Sequence, residues 1–129
     1  MQGLILFAHG ARDPRWAAPL RQVAARIRAQ RPGLALGLAF LEHDQNDQPD
    51  LATAAAELAR LGCTRIDVLP AFLGVGSHLR QELPRLVEAL RKQHPGLQIT
   101  AHAALGEAEA VQRAIAGHAL ALIDAQETP

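Results

Sequence analysis

Short apolar runs alternate along the chain with longer stretches in which apolar residues recur every three or four positions. The first run, Leu4-Ile5-Leu6-Phe7-Ala8, stops at His9-Gly10. Its length and unbroken hydrophobicity predict a strand at 3–8 covered on both faces. Further runs predict strands at 34–41, 65–72 and 97–103. Between them Leu20, Val23, Ala24 and Ile27 keep helical spacing, as do Leu51, Ala54, Ala55, Leu58 and Leu61, and then Leu83, Leu86, Val87 and Leu90. Helices are therefore expected at about 14–30, 49–61, 84–93 and 107–123.

The punctuation agrees with this reading. Asp13-Pro14 has the chemistry of an N-cap followed by the first helical residue. Pro19 predicts a kink or a delayed helix start. Pro32-Gly33, Gly62 and His94-Pro95-Gly96 stop helices. Pro70 has no N–H for a ladder and is expected near the end of its strand. Leu73-Gly74-Val75-Gly76-Ser77-His78 reads as a flexible loop. Residues 1–124 then form a single domain, and 125–129 a frayed tail. Four β-α units with short connections give an α/β fold of the three-layer, flavodoxin-like kind: a four-stranded parallel sheet with right-handed crossovers and helices on both faces, taken in the order 2-1-3-4 that is usual for so small a doubly wound sheet.

That order gives the polar residues a place. In open α/β sheets ligands bind beyond the carboxyl ends of the strands. His9 follows the first strand, Glu42 the second and His78 the third. Two imidazoles and a carboxylate from separate strand ends suit a borderline divalent cation with open positions. The alternative is that each histidine caps its own loop by bonding backbone groups. His43 and His102 lie near strand ends two and four and are read as peripheral, as are His94 and His118. Arg12, Arg15, Arg80 and Arg85 flank the two histidines and suit carboxylates, which arginine meets with two parallel bonds. Gly74-Val75-Gly76-Ser77 lacks the lysine of a phosphate-binding loop, so nucleotide binding has little support.

Composition narrows the classes. Thirteen basic residues balance thirteen acidic ones, which argues against a nucleic-acid partner. No apolar stretch nears the ~18 residues of a membrane span. The start of the chain has no basic region ahead of its first apolar run, and no signal peptide is expected. One cysteine, Cys63, fits a reducing, cytoplasmic compartment and a small buried side chain. With three phenylalanines, one tryptophan and no tyrosine, the core must be Leu, Ala, Val and Ile.

Several segments together resemble the small, single-domain sirohydrochlorin chelatases, class II chelatases of cobalamin and sirohaem synthesis. They are His9-Gly10-Ala11-Arg12-Asp13-Pro14-Arg15, Ala39-Phe40-Leu41-Glu42 with Pro49 and Leu51, Val68-Leu69-Pro70-Ala71-Phe72-Leu73, Gly76-Ser77-His78 and Glu82-Leu83-Pro84. The family usually has serine at the position of Ala11 and aspartate at that of Glu82. The resemblance implies a chelatase that inserts a divalent metal into sirohydrochlorin, with Co²⁺ preferred and Fe²⁺ or Ni²⁺ as alternatives. It implies His9 and His78 as metal ligands and catalytic groups, Glu42 as a third catalytic residue, and Arg12, Gly76 and Ser77 at the substrate. No cofactor beyond the metal substrate is expected. A homodimer that builds one cleft from two halves is expected. A carrier of metal or tetrapyrrole, without turnover, is the alternative. A histidine phosphatase is disfavoured, because Ala8 stands where that class wants arginine.

Overall fold

Strand β1 (Gln2–Ala8) is apolar along nearly its whole length and is paired on both sides. The structure, a computed structural model, describes residues 1–10, 13–41 and 49–127. Strand β1 runs parallel to β2 (Ala35–Phe40) on one side and to β3 (Arg65–Pro70) on the other. Strand β4 (Gln98–Ala101) pairs with β3 and completes the order β2-β1-β3-β4. The expected topology is therefore present. Pro70 is the last residue of its strand, where a missing N–H disturbs the ladder least.

Alternation along these strands divides the core in two. Ile5, Phe7, Ala39, Ile66, Val68 and Ile99 turn to one face. There they meet α2 (Leu51–Arg60) and α3 (Ser77–Gln93) through Leu51, Ala54, Ala55 and Leu58 and through Leu79, Leu83, Val87 and Leu90. The other face is thinner: Ala8 and Phe40 pack with Ala17, Leu20, Leu38 and Ala71 beneath α1 (Ala18–Gln30).

Each helix start has a local cause. A 3₁₀ turn, Pro14–Ala17, precedes α1, so Pro19 falls in the first turn of the α-helix, where its lost donor has no partner to miss. Pro19 thus delays the helix and does not kink it. The side chain of Asp50 accepts from the Thr53 amide at 2.8 Å and caps α2. Gly62 follows that helix with φ +103°, the conformation a C-terminal glycine supplies. Helix α3 differs from expectation. It begins at Ser77, well before Pro84, which lies inside it. The apolar stripe Leu79–Leu83–Val87–Leu90 extends upstream of the proline, and its burial against the sheet outweighs one lost backbone bond.

Beyond β4 the chain makes a second 3₁₀ turn, Leu105–Glu107, and enters α4 (Glu109–Glu127). This helix runs through residues 125–127, which were expected to fray. The turn before it is held tightly: the Gly106 amide donates to the Phe72 carbonyl at 2.9 Å. A Cβ at Gly106 would collide with the backbone of Leu73, so only glycine fits this approach. Helix α4 itself meets the rest of the chain chiefly through that turn. Its Ile115, Leu120, Leu122 and Ile123 are 49%, 63%, 54% and 53% exposed. Among the described residues no helix is long and apolar enough to cross a membrane.

Strand β3 and the edge strand β4 are cross-tied by a polar pair. His102, just past β4, sets Nε2 2.8 Å from Oδ1 of Asp67 on β3. An ionised carboxylate only accepts, so Nε2 carries the proton. The hydrogen bond from His102 holds the Asp67 carboxyl below its usual range, against the opposing effect of burial, and Gln2 and Arg65 add to the depression. The Asp67 side chain is 13% exposed, that of His102 49%. Replacing Asp67 with Asn should cost about 1 kcal/mol near neutral pH, since one partner remains half in water. The depressed carboxyl stabilises the fold above its unfolded value of ~3.9, and that contribution is lost as pH falls through the lower folded value. Urea denaturation of both proteins should therefore give a constant gap from pH 7 to about 5 that closes below about 4. A gap that widened in acid would contradict this assignment.

Candidate functional site at the carboxyl edge of the sheet

The pairing register aligns the strand ends. Phe7 lies opposite Ala39 and Pro70, and Ala8 opposite Phe40. The pairing continues past the strands: the Leu41 amide donates to Ala8 O at 2.8 Å and the Ala71 amide to Phe7 O at 2.7 Å. His9 consequently emerges between two chain segments fastened to its own strand. Gly10, buried behind it, takes φ +84° and turns the backbone away from the sheet. His9 is exposed, and its Nδ1 makes a long contact, 3.4 Å, with Gly10 O.

Aromatic edges surround this imidazole. Its ring centroid is 6.5 Å from that of Trp16 and 6.4 Å from that of Phe72, both edge-on. Phe72 also meets Phe7 edge-on at 6.1 Å. Trp16 is placed by the first 3₁₀ turn. The side chain of Asp13 accepts from the Arg15 amide at 2.9 Å, and the Asp13 carbonyl accepts from the Trp16 amide at 3.0 Å. Arg15 also donates Nε and Nη2 to the Asp13 carboxylate, holding that carboxyl below its usual range. The indole is 48% exposed and Leu73, next to Phe72, is 71% exposed. Three of the chain's four aromatic side chains thus gather at this edge and leave apolar surface open beside the imidazole.

His78 approaches the same edge from β3. It lies not in a loop but in the first turn of α3, exposed, behind the N-cap Gly76. Gly76 is extended and has no side chain to cap the helix. Ser77 and His78 therefore sit where the first amides of a helix lack internal partners and carry partial positive charge. The Arg80 guanidinium donates to Val75 O at 3.4 Å. Of the predicted residues, His9, Gly76, Ser77 and His78 share this edge, beyond neighbouring strands. Glu42, Arg12 and His43 lie outside the described residues. His102 is turned back along the sheet to Asp67, and His118 stands on α4. Among the described residues no three His, Cys, Asp or Glu side chains form a group able to hold a metal ion.

Sequence reasoning passed over Trp16 and Phe72 as site residues. The available signal was the scarcity of aromatics together with their positions, one in the segment after His9 and one after the third strand. It also placed His78 in a loop, because Pro84 was taken as the helix start.

A family model described as CbiX matches residues 3–119. A sirohydrochlorin cobaltochelatase from Methanococcoides burtonii is 28% identical over 86 residues, which are 67% of this chain and 63% of that protein. One from Saccharolobus solfataricus is 30% identical over 87 residues, 67% of this chain and 64% of that protein. The likeness therefore spans under two thirds of these relatives' length. A solved structure described as a cobalamin (vitamin B12) biosynthesis CbiX protein from Marinobacter aquaeolei VT8 superposes with a TM-score of 0.82 at 26% identity, covering 96% of this chain and 98% of that one. The sirohydrochlorin chelatase SirB from Bacillus subtilis subspecies spizizenii, solved with cobalt, has a TM-score of 0.67 at 21% identity and shares the fold over 90% of this chain and 48% of its own.

The single tryptophan reports on this edge. Replacing Asp13 by Ala removes the cap that seats the turn. The urea midpoint should fall and the Trp16 emission maximum should shift to longer wavelength as the ring gains exposure. Unchanged emission would show that other contacts place the indole.

Proposed function

The chain belongs to the CbiX family, and on that premise we propose that it inserts a divalent metal ion into sirohydrochlorin. The observation that carries the reading is an exposed imidazole flanked edge-on by Trp16 and Phe72, with His78 at the same edge. A tetrapyrrole is a broad, flat, largely apolar ring fringed with carboxylates. Open aromatic and Leu73 surface suits its face. Arg12 and the first turn of α3 at Gly76 and Ser77 suit its rim.

Metallation removes two protons from ring nitrogens as the ion enters. His9 and His78 hold the incoming ion over the ring through imidazole nitrogen, and one of them accepts a proton as the ion transfers. Glu42 assists the ion or takes the second proton. A neutral imidazole serves either task near neutral pH, and positioning supplies much of the rate. No nucleotide takes part, in keeping with the missing phosphate-loop lysine. Cobalt is the preferred ion, supported by relatives named for cobalt; Fe²⁺ and Ni²⁺ suit the same donors. The product belongs to cobalamin or sirohaem synthesis. We place the protein in the cytoplasm, acting as a homodimer in which a second copy faces the edge that carries His9.

The test mixes purified protein with sirohydrochlorin and Co²⁺, Fe²⁺ or Ni²⁺ and follows the absorption change. Metal insertion should accelerate with at least one ion. His9→Ala and His78→Ala should each lose about 100-fold in rate, the scale of one positioned acid–base group, while keeping the wild-type circular dichroism. Co²⁺ alone should quench Trp16 emission, and less so in His9→Ala. No acceleration with any ion would overturn the enzymatic reading. Quenching without acceleration would favour a carrier.

A further inference from the structure

Helix α3 holds a carboxylate one turn behind His78. His78 lies in the first turn of that helix and Glu82 follows four residues later. Among the described residues neither side chain makes a hydrogen bond or an ion pair. Other helical glutamates are served differently: Glu57, Glu88 and Glu109 each face an arginine within one turn of their own helices. Arg85, three residues after Glu82, is exposed and makes no ion pair with it.

The surroundings of Glu82 give its carboxylate reason to seek a partner. The residue is half-buried. It lines a cavity of about 220 Å³ at the ends of β1 and β2, together with Phe7, Phe40 and Leu86. Asp50, the other carboxylate there, accepts from the Thr53 amide as the cap of α2. A charge with apolar walls on one side is costly until it is paired. On a helix, residues four apart share one face with Cβ atoms about 5–6 Å apart. A helical side chain also leans toward the N-terminus and covers the turn before its own Cα. The row His78–Glu82–Leu86 therefore runs from the open carboxyl edge to the cavity, and Glu82 extends along it toward His78. Pro84 lies within α3 without ending it, so this spacing holds.

We propose that Glu82 is a positioning residue for His78: its carboxylate accepts the N–H of one ring nitrogen, and the other nitrogen is presented at the edge. The bond is not formed in this structure; rotation about the side-chain bonds of the two residues closes it. A neutral imidazole has one donor nitrogen and one acceptor. Unattached, an exposed ring samples both tautomers and several rotamers; tied to Glu82 it keeps one. Imidazoles that ligate metal ions are regularly oriented by a carboxylate in this way. The inference rests on the metal reading of His78 given above and adds the group that aims it.

The test titrates the whole chain with Co²⁺ in the absence of tetrapyrrole and reads Trp16 emission. Glu82→Gln, of nearly equal size, should keep the wild-type circular dichroism and weaken Co²⁺ binding about 10-fold, the scale for loss of such a partner. Glu82→Asp keeps the carboxylate and should stay close to wild type. In a His78→Ala background Glu82→Gln should cost nothing further, because the ring it aims is gone. An equal loss in both backgrounds would mean that Glu82 attracts the ion by charge alone and would overturn the inference, as would no loss in either. A second readout needs no metal. Long-range ¹H–¹⁵N spectra at pH about 8, where an ordinary imidazole is neutral, should show one dominant His78 tautomer in wild type and a mixture in Glu82→Gln. A mixture in both would overturn the inference too. Metal insertion by the unaltered protein tests the chelatase reading separately. Turnover without coupling between Glu82 and His78 removes this inference alone. Coupling and a single tautomer without turnover remove that reading alone.

Discussion

Everything at the candidate site depends on β1 being hydrogen-bonded on both sides to its last residue. The carbonyls of Phe7 and Ala8 are taken by Ala71 and Leu41, beyond the formal ends of β3 and β2. Three chain segments are thereby brought level at one edge, and His9 has only one direction in which to leave. The burial of Ile5 and Phe7, at 0% and 1% exposure, fixes the register of that strand, because a slip of one residue would turn each of them to the other face. The position of the imidazole is in this sense a property of the core beneath it.

Around that fixed point the chain uses local chemistry. Asp13 seats the turn that holds Trp16, and in doing so engages Arg15, which is then less available to a ligand. Phe72 is held from three sides: it meets Phe7 and His9, and its carbonyl accepts from Gly106. The loop after β3 is thus tied at Phe72 to the turn before α4.

Much of this architecture was readable in the residue pattern. Unbroken apolar runs marked the four strands, short connections made the sheet parallel, and the order 2-1-3-4 was the usual one for so small a doubly wound sheet. His9 and His78 were identifiable because a parallel sheet collects its ligands at one edge. Three matters escaped, each for a physical reason. Pro84 was read as a start, because the cost of an interior proline is visible in sequence whereas the packing that offsets it is tertiary. Trp16 and Phe72 converge on His9 only through the pairing of distant strands. The exposure of α4 is a matter of direction, set by the approach of Gly106 to Leu73, and helical periodicity says which face is apolar without saying what it meets.

The packing of Gly3 bears on the reactivity of the chain's one thiol. A side chain there would press on the Cys63 sulfur at 3.0 Å and on Leu58 at 3.1 Å; the bare α-carbon is what lets the thiol fold inward. Cys63 is the chain's one sulfhydryl. It is only 6% exposed, and it precedes β3, at the end of the sheet opposite His9. Thiolate outcompetes imidazole for many late first-row ions and holds on to them. Burial withdraws that sulfur from ions in solvent. A small residue at the start of the first strand therefore keeps the chain's one thiol folded inward, at the end of the sheet opposite His9.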